Sequence, residues 1–323
     1  MASRPTGFPQ ESDFALDEAE VPSPGPGEVL LRTQWLSVDP YQRSRMSTAR
    51  SYAKGLEVGD VMTAQAVGEV VESNDPRYEP GDIALGQLGW QDYAVARAGS
   101  LRKVPPGIEP QLALHVLGAT GLTAYFGILD VARPVPGDTV VVSAAAGAVG
   151  SVAGQIARIM GCRTVGIAGG ADKLEDLRDR YRFDEAIDYK TGDVRDAVKS
   201  ACPDGVDAYF DNVGGEISAA VHARLNVGAR IAICGQVSQY NLERAQATFH
   251  PGTLIVFRAR MQGFLVADYA HRFGEALPRL AQWLADGTIR STEDVVEGLE
   301  NAPEAFMRML RGENRGKQLV KVA

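Results

Sequence analysis

Apolar positions change rhythm near residue 111. From Glu28 to Lys103 the runs are short and broken by Gly and Pro, as in EVLLRTQWLSV, AVGEVVES and GDIALGQLGWQDYAVA. Such spacing predicts an all-β unit, folded as a partly open barrel. Gln111 to Val131 has helical periodicity, and beyond the PVPGD turn strands alternate with helices. Strands are predicted at TVVVSA, TVGIA, EAIDY, VDAYFDN and ARIAICG, with helices starting near Ala148, Asp172, Asp193 and Glu216. That alternation belongs to an α/β fold with a doubly wound parallel sheet. A further helix is expected over Tyr269–Ala285, and the terminal KQLVKV reads as a strand returning to the first domain. The expected division is 1–110 with 288–323 for the barrel-like domain and 111–287 for the parallel-sheet domain.

The uncharged stretch Thr139–Ala157, 19 residues, approaches the length that spans a bilayer. Its polar Ser143, Ser151 and Gln155, and its change from a β-branched triplet to helical spacing, predict strand, turn and helix instead. With 45% hydrophobic and 23% charged residues, the composition excludes the disordered and coiled-coil classes. Thirty-three Lys and Arg against 41 Asp and Glu give a net charge of -8, which argues against nucleic acid or anionic lipid as the main partner. Cys162, Cys202 and Cys234 cannot build a disulfide framework, so a reducing, cytoplasmic setting is expected. The start, MASRPTGFPQESDF, lacks an apolar segment followed by a small-residue cleavage site, so no signal peptide is expected.

The segment VVVSAAAGAVGSVAGQIA carries the strongest chemical signal, because a buried strand runs into Ala145-x-Gly147-x-x-Gly150 and then a helix. Gly147 lets backbone approach a pyrophosphate, Gly150 lets helix and strand pack closely, and the N–H groups at Ala148 and Val149 open the helix toward an anion. Ala145 stands where the usual fingerprint has its first glycine, and a tight turn without ligand is the competing reading. About 20 residues on, where an NAD site places a carboxylate on the ribose, the chain has Gly169 and Gly170, with Lys173 following. Room for a 2′-phosphate plus a nearby cation predicts NADPH (NADP+) as cofactor. A solvated lysine is the alternative fate of Lys173, and Asp172 beside it is a counter-signal.

Zinc is tested by counting. No Cys or His precedes His115, and His115, His222, His250 and His271 are scattered without paired-ligand spacing. No metal site is expected, and polarisation of a carbonyl then falls to hydrogen bonds, with tyrosines the leading donors.

These segments, with SVDPYQRSRM, GWQDYAV, GLTAYFG, IDYK, YFDNVGG, ICGQVSQYN, MQGFLV and NRGKQLV, resemble the zinc-independent medium-chain dehydrogenase/reductases of the prostaglandin reductase, alkenal double-bond reductase and curcumin reductase group. The resemblance spans nearly the whole chain. It implies a Rossmann domain plus a GroES-like catalytic barrel, an NADPH-dependent ene-reductase of α,β-unsaturated ketones and aldehydes, and a homodimer. It also implies Lys173 and Tyr189 at the phosphorylated ribose, with Gly170 beside them. Asn212 and Asn314 fall on the cofactor, and Thr123, Cys234 and Phe264 near the nicotinamide. In the substrate cleft it points to Tyr240, and less strongly to Tyr52 and Tyr41. Gln42, Ala119-Thr120 and Phe257 depart from patterns common among relatives, and relatives usually begin with a short strand that this chain is expected to lack. A quinone oxidoreductase and a catalytically silent NADPH-binding protein remain as alternatives; the natural substrate is not encoded in any simple way.

Overall fold

The structure is a computed structural model and describes residues 1–244, 246 and 249–323. Its contacts divide the chain into two units, Met1–His115 with Glu293–Ala323, and Val116–Thr292. The strands of the first segment are β1 (Glu28–Ser37), β2 (Gln65–Ser73), β3 (Ile83–Gln87), β4 (Tyr93–Arg97) and β5 (Arg102–Lys103). The second unit holds β6 (Thr139–Ser143), β7 (Arg163–Ala168), β8 (Glu185–Asp188), β9 (Val206–Asp211), β10 (Leu225–Ile233) and β11 (Arg260–Gly263). Returning to the first unit, the chain adds β12 (Glu293–Glu297) and β13 (Lys317–Lys321).

The first unit is one mixed sheet in the order β12-β13-β1-β2-β3-β5, with β4 also on β1. Register shifts between Leu30 and Leu31 and between Thr33 and Trp35 interrupt the β1–β2 ladder, the kind of irregularity that bends a sheet toward closure. Val29, Leu31 and Leu36 are fully buried in its core with Met46, Phe306 and Val320. Trp90 stacks on Phe14 and meets Phe306 edge-on, with centroids 5.6 and 6.0 Å apart. The KQLVKV segment forms β13, antiparallel to β1 and parallel to β12. Strand β12 escaped the sequence reading because EDVVE has three carboxylates and two apolar residues. It lies at a sheet edge, where charge is the ordinary protection against further pairing.

The second unit is a parallel sheet in the order β11-β10-β9-β6-β7-β8. Val140, Val141 and Val142 of β6 are all fully buried, as a strand covered on both faces requires. Helix Ala148–Ile159 turns Val152, Ala153, Ile156 and Ala157 inward. Asp193 caps helix Val194–Ala201 by accepting from the N–H groups of Arg195 and Asp196. The helix expected from Tyr269 begins at Phe273, preceded by a tighter helical turn over Val266–Arg272. A sixth strand, β11, joins the five expected ones. From β6 the chain winds outward through β7 and β8, then crosses back to β9 and winds the other way. The order therefore reverses between β6 and β9, and such a switch point opens a crevice at the carboxyl ends of the strands. Among the described residues no helix is long and apolar enough to cross a membrane.

Candidate functional site

The crevice begins where β6 ends. Ala144 has φ +47°, a left-handed conformation that costs energy for a residue with a Cβ. Its carbonyl accepts from the Gly147 N–H at 3.0 Å, closing a tight turn. A Cβ on Gly150 would lie 2.3 Å from the Ala144 oxygen and 2.8 Å from the Ala145 Cα, so only glycine lets the helix come this close to the strand end. Gly147 starts the helix without a side-chain cap, and the ladder opens with Ser151 donating to the Gly147 carbonyl at 3.0 Å. The N–H groups of the first turn precede that ladder, beside the positive end of the helix dipole. Backbone alone thus forms an anion cradle, of the kind that suits a dinucleotide pyrophosphate.

Next along the edge is the end of β7. A Cβ on Gly169 would sit 2.7 Å from the Tyr189 ring and 2.8 Å from the Lys190 Cε, so both side chains lie against this glycine. Gly170 has φ +101°, and a Cβ there would meet nothing within 4 Å. Asp188 ties the two segments, its Oδ1 accepting from the N–H groups of Gly170 at 3.3 Å and Lys190 at 2.9 Å. The Lys173 N–H donates to the Gly170 carbonyl at 3.1 Å, which sets that residue in the first turn beyond the glycines. The Tyr189 ring and Lys190 thus lie against Gly169, and the half-exposed Lys173 follows in the first helical turn after Gly170. The residues present fit a phosphorylated ribose: an aromatic plane, open space and two cations. Lys190 was not singled out in the sequence.

At the switch point the Asn212 side chain donates to the Ser143 carbonyl at 2.7 Å, and the Asn212 N–H donates to the Ser143 hydroxyl at 2.9 Å. Beneath it lies Asp211, 1% exposed, a residue the sequence reading passed over. Its carboxylate accepts from the hydroxyls of Ser143 (3.1 Å), Tyr209 (2.9 Å) and Ser218 (2.5 Å) and from the N–H groups of Val213 (2.9 Å) and Gly214 (3.0 Å). Five donors satisfy a buried charge that would otherwise be costly, and they fix the loop that carries Asn212. Burial, followed by the charge of Asp211, holds the Tyr209 phenol well above its ordinary value. The same two causes push the Cys234 thiol up to about 12, so it stays protonated at neutral pH.

Cys234 and Gly235 donate their N–H groups to the Asp211 carbonyl, at 2.8 and 3.1 Å. After the turn Val237–Gln239, the Tyr240 hydroxyl returns to 3.4 Å from the Gln236 N–H. Phe264, just beyond β11, meets Phe210 edge-on at 6.2 Å. A Cβ on Gly127 would lie 2.5 Å from both of these rings. Thr123 donates its hydroxyl to the Ala119 carbonyl of its own helix at 2.7 Å. In the second unit, then, Gly147–Gly150, Gly170, Lys173, Tyr189, Asn212, Cys234, Tyr240 and Phe264 all follow strand ends along one edge of the sheet.

Tyr41, Tyr52 and Asn314 belong to the first unit. The Tyr41 hydroxyl is buried, and burial, reinforced by Asp39 and Tyr52, keeps this phenol protonated well above its ordinary range. Tyr52 is 61% exposed. Asn314 donates its side-chain N–H to the Gly316 carbonyl at 2.8 Å. The corner before Tyr41 is held by Lys317 of β13, whose buried ammonium donates to the Val38 carbonyl at 2.9 Å and to Asp39 at 2.7 Å. Gln42 adds bonds to the Ser37 and Thr63 carbonyls at 3.2 and 2.8 Å.

A doubly wound sheet with an anion cradle at its switch point, joined to a curled mixed sheet in one chain, defines a nucleotide-dependent oxidoreductase architecture. Residues 1–104 match the family described as the N-terminal domain of oxidoreductase, and residues 148–282 the family described as zinc-binding dehydrogenase. The chain is 43% identical to the NADPH-dependent curcumin reductase of Escherichia coli, over 100% of this chain and 96% of that protein. It is 44% identical to prostaglandin reductase 1 of Rattus norvegicus, over 98% and 95% of the two chains. The solved structure of CurA from Vibrio vulnificus in complex with NADPH superposes with a TM-score of 0.95 at 44% identity, covering 100% of this chain and 98% of that one. The chain belongs to the medium-chain dehydrogenase/reductases, in the zinc-independent branch of the curcumin, prostaglandin and alkenal reductases. Residues 1–104 contain no His or Cys. Among the described residues no group of three or more His, Cys, Asp or Glu is placed to hold a metal ion.

Proposed function

We propose that the protein is an NADPH-dependent ene-reductase that saturates the carbon–carbon double bond of α,β-unsaturated ketones and aldehydes. The observation that carries this reading is the Gly169–Gly170 turn, one strand away from the glycine cradle, where the chain has two glycines in place of an acidic residue. Lys190 lies against Gly169, Lys173 follows in the next turn, and the nearby Asp188 carboxylate is bonded to the backbone N–H groups of Gly170 and Lys190. Lys173, Tyr189 and Lys190 would hold the 2′-phosphate end, Gly147 to Gly150 the pyrophosphate, and Asn212, Cys234 and Phe264 the nicotinamide end, with Thr123 and Asn314 as further contacts. Bound there, NADPH supplies a hydride. Tyr240 is the candidate for donating a hydrogen bond to the substrate carbonyl as its oxygen gains charge, a neutral phenol being suited to that task. Tyr41 and Tyr52 are secondary candidates for the substrate cleft.

A panel of trans-2-nonenal, a chalcone, curcumin and simple quinones, followed by NADPH absorbance, tests the assignment. Turnover of enones and enals faster than quinones is expected. Faster quinone turnover favours a quinone oxidoreductase, and bound NADPH that no acceptor oxidises favours a silent binding protein.

We also propose a homodimer. Support comes from β11, whose outer edge pairs with no strand among the described residues, and from Ile255 and Val256 nearby, 79% and 63% exposed. Light scattering behind size exclusion is expected to give twice the 34.6 kDa chain mass; the single-chain mass would overturn this.

A further inference from the structure

Helix Ala148–Ile159 begins at the glycine cradle and ends at a different feature. Twelve residues at about 1.5 Å each carry the chain roughly 18 Å from the cradle. Here Gln155, Arg158 and Ile159 meet Arg180, Tyr181 and Arg182 at the end of the next helical segment, and Gly287, Thr288 and Arg290 after helix Phe273–Ala285. These residues line a cavity of about 220 Å³. Its wall contains four arginines and no carboxylate, in a chain whose net charge is -8.

Part of this positive charge has a local use. Three helical segments end here, and their carbonyl ends favour cations. Arg180 pairs with Asp176 at 3.3 Å and donates to the Ser291 carbonyl at 3.5 Å, and Arg158 faces Asp184 at 3.6 Å. Among the described residues, the guanidinium groups of Arg182 and Arg290 have no such partner, and both residues are exposed. Backbone geometry fixes both positions: Arg182 sits at φ +59°, and the Arg290 N–H and C=O are both bonded to the Gln155 side chain, at 2.8 and 2.9 Å. With Arg158 and Arg180 facing carboxylates, Arg182 and Arg290 leave an excess of positive charge at the cavity that a polyvalent anion would neutralise.

We propose that this cavity is a second anion site, which takes a small phosphoryl-bearing polyanion of about pyrophosphate size. Guanidinium forks match phosphate oxygens two at a time. The volume is below that of pockets for drug-sized ligands, which excludes a whole dinucleotide. The site lies at the opposite end of the helix from the proposed cofactor cradle, so it is separate from the ene-reductase reading and stands without it.

The test is thermal unfolding with inorganic pyrophosphate against sodium chloride at equal ionic strength, with and without saturating NADPH. In the wild-type protein, pyrophosphate at ten times its dissociation constant is expected to raise Tm by about 2 °C or more, whether or not NADPH is bound. The Arg182→Ser/Arg290→Ser double variant, altered only at exposed side chains, is expected to fold with a near-native Tm and to lose that shift. Isothermal titration into the NADPH-bound wild type is expected to give one pyrophosphate site per chain. A wild-type shift that the double variant keeps, a shift abolished by NADPH, or no shift at all overturns the proposal. Failure of NADPH itself to bind would count against the ene-reductase reading and leave this one standing.

Discussion

Replacing Lys173 and Lys190 together by Met is expected to raise the KM for NADPH about a hundredfold while leaving the KM for NADH close to the wild-type value. Charge-assisted contacts contribute about 1.5 kcal/mol or more each, close to tenfold, and NADH lacks the phosphate that both ammonium groups would meet. The single variants are expected to show about tenfold each, because the two cations approach the turn from different segments. Steady-state kinetics with both cofactors checks this. A Lys190→Met enzyme that behaves as wild type removes Lys190 from the site while leaving the role of Lys173 intact. An enzyme that prefers NADH from the outset refutes the cofactor assignment as a whole.

The second large effect concerns Tyr240. Tyr240→Phe keeps the ring and removes the hydroxyl, the atom that lies beside Gly235 and the Gln236 N–H. Loss of a donor to a developing oxyanion typically costs about 10²-fold or more in kcat. The expected result is that loss in kcat with enone substrate, with NADPH affinity by fluorescence titration nearly unchanged. An undiminished kcat would transfer the role to another group, and Tyr41→Phe is then the next variant to measure. A parallel fall in NADPH affinity would show that Tyr240 acts through the cofactor pocket.

Much of the site was legible because strand, glycine turn and helix are local. Val140 to Ile159 contains everything needed to form the cradle, and the structure builds it there. The absence of a carboxylate at Gly169–Gly170 was equally plain. Lys190 was hidden because its approach to Gly169 depends on the register of two strands, Ala168 opposite Asp188, which no local pattern states. Asp211 was hidden for a related reason. As one letter of YFDNVGG it resembles any acidic turn residue, whereas its five donors come from positions 143, 209, 213, 214 and 218. A carboxylate closing the strand VDAYFD directly after the apolar run Ala208–Phe210 was the available signal. The switch point itself follows from strand order, and the arginine cavity joins residues more than a hundred positions apart; both are properties of topology rather than of sequence pattern.

Reducing equivalents are expected to reach the alkene carbon and leave the carbonyl intact. The most direct measurement is the reduction of an enone with NADPH dideuterated at C4 of the nicotinamide, with the product read by NMR. A saturated ketone carrying one deuterium on its β-carbon is expected. An allylic alcohol with deuterium on the former carbonyl carbon would contradict it.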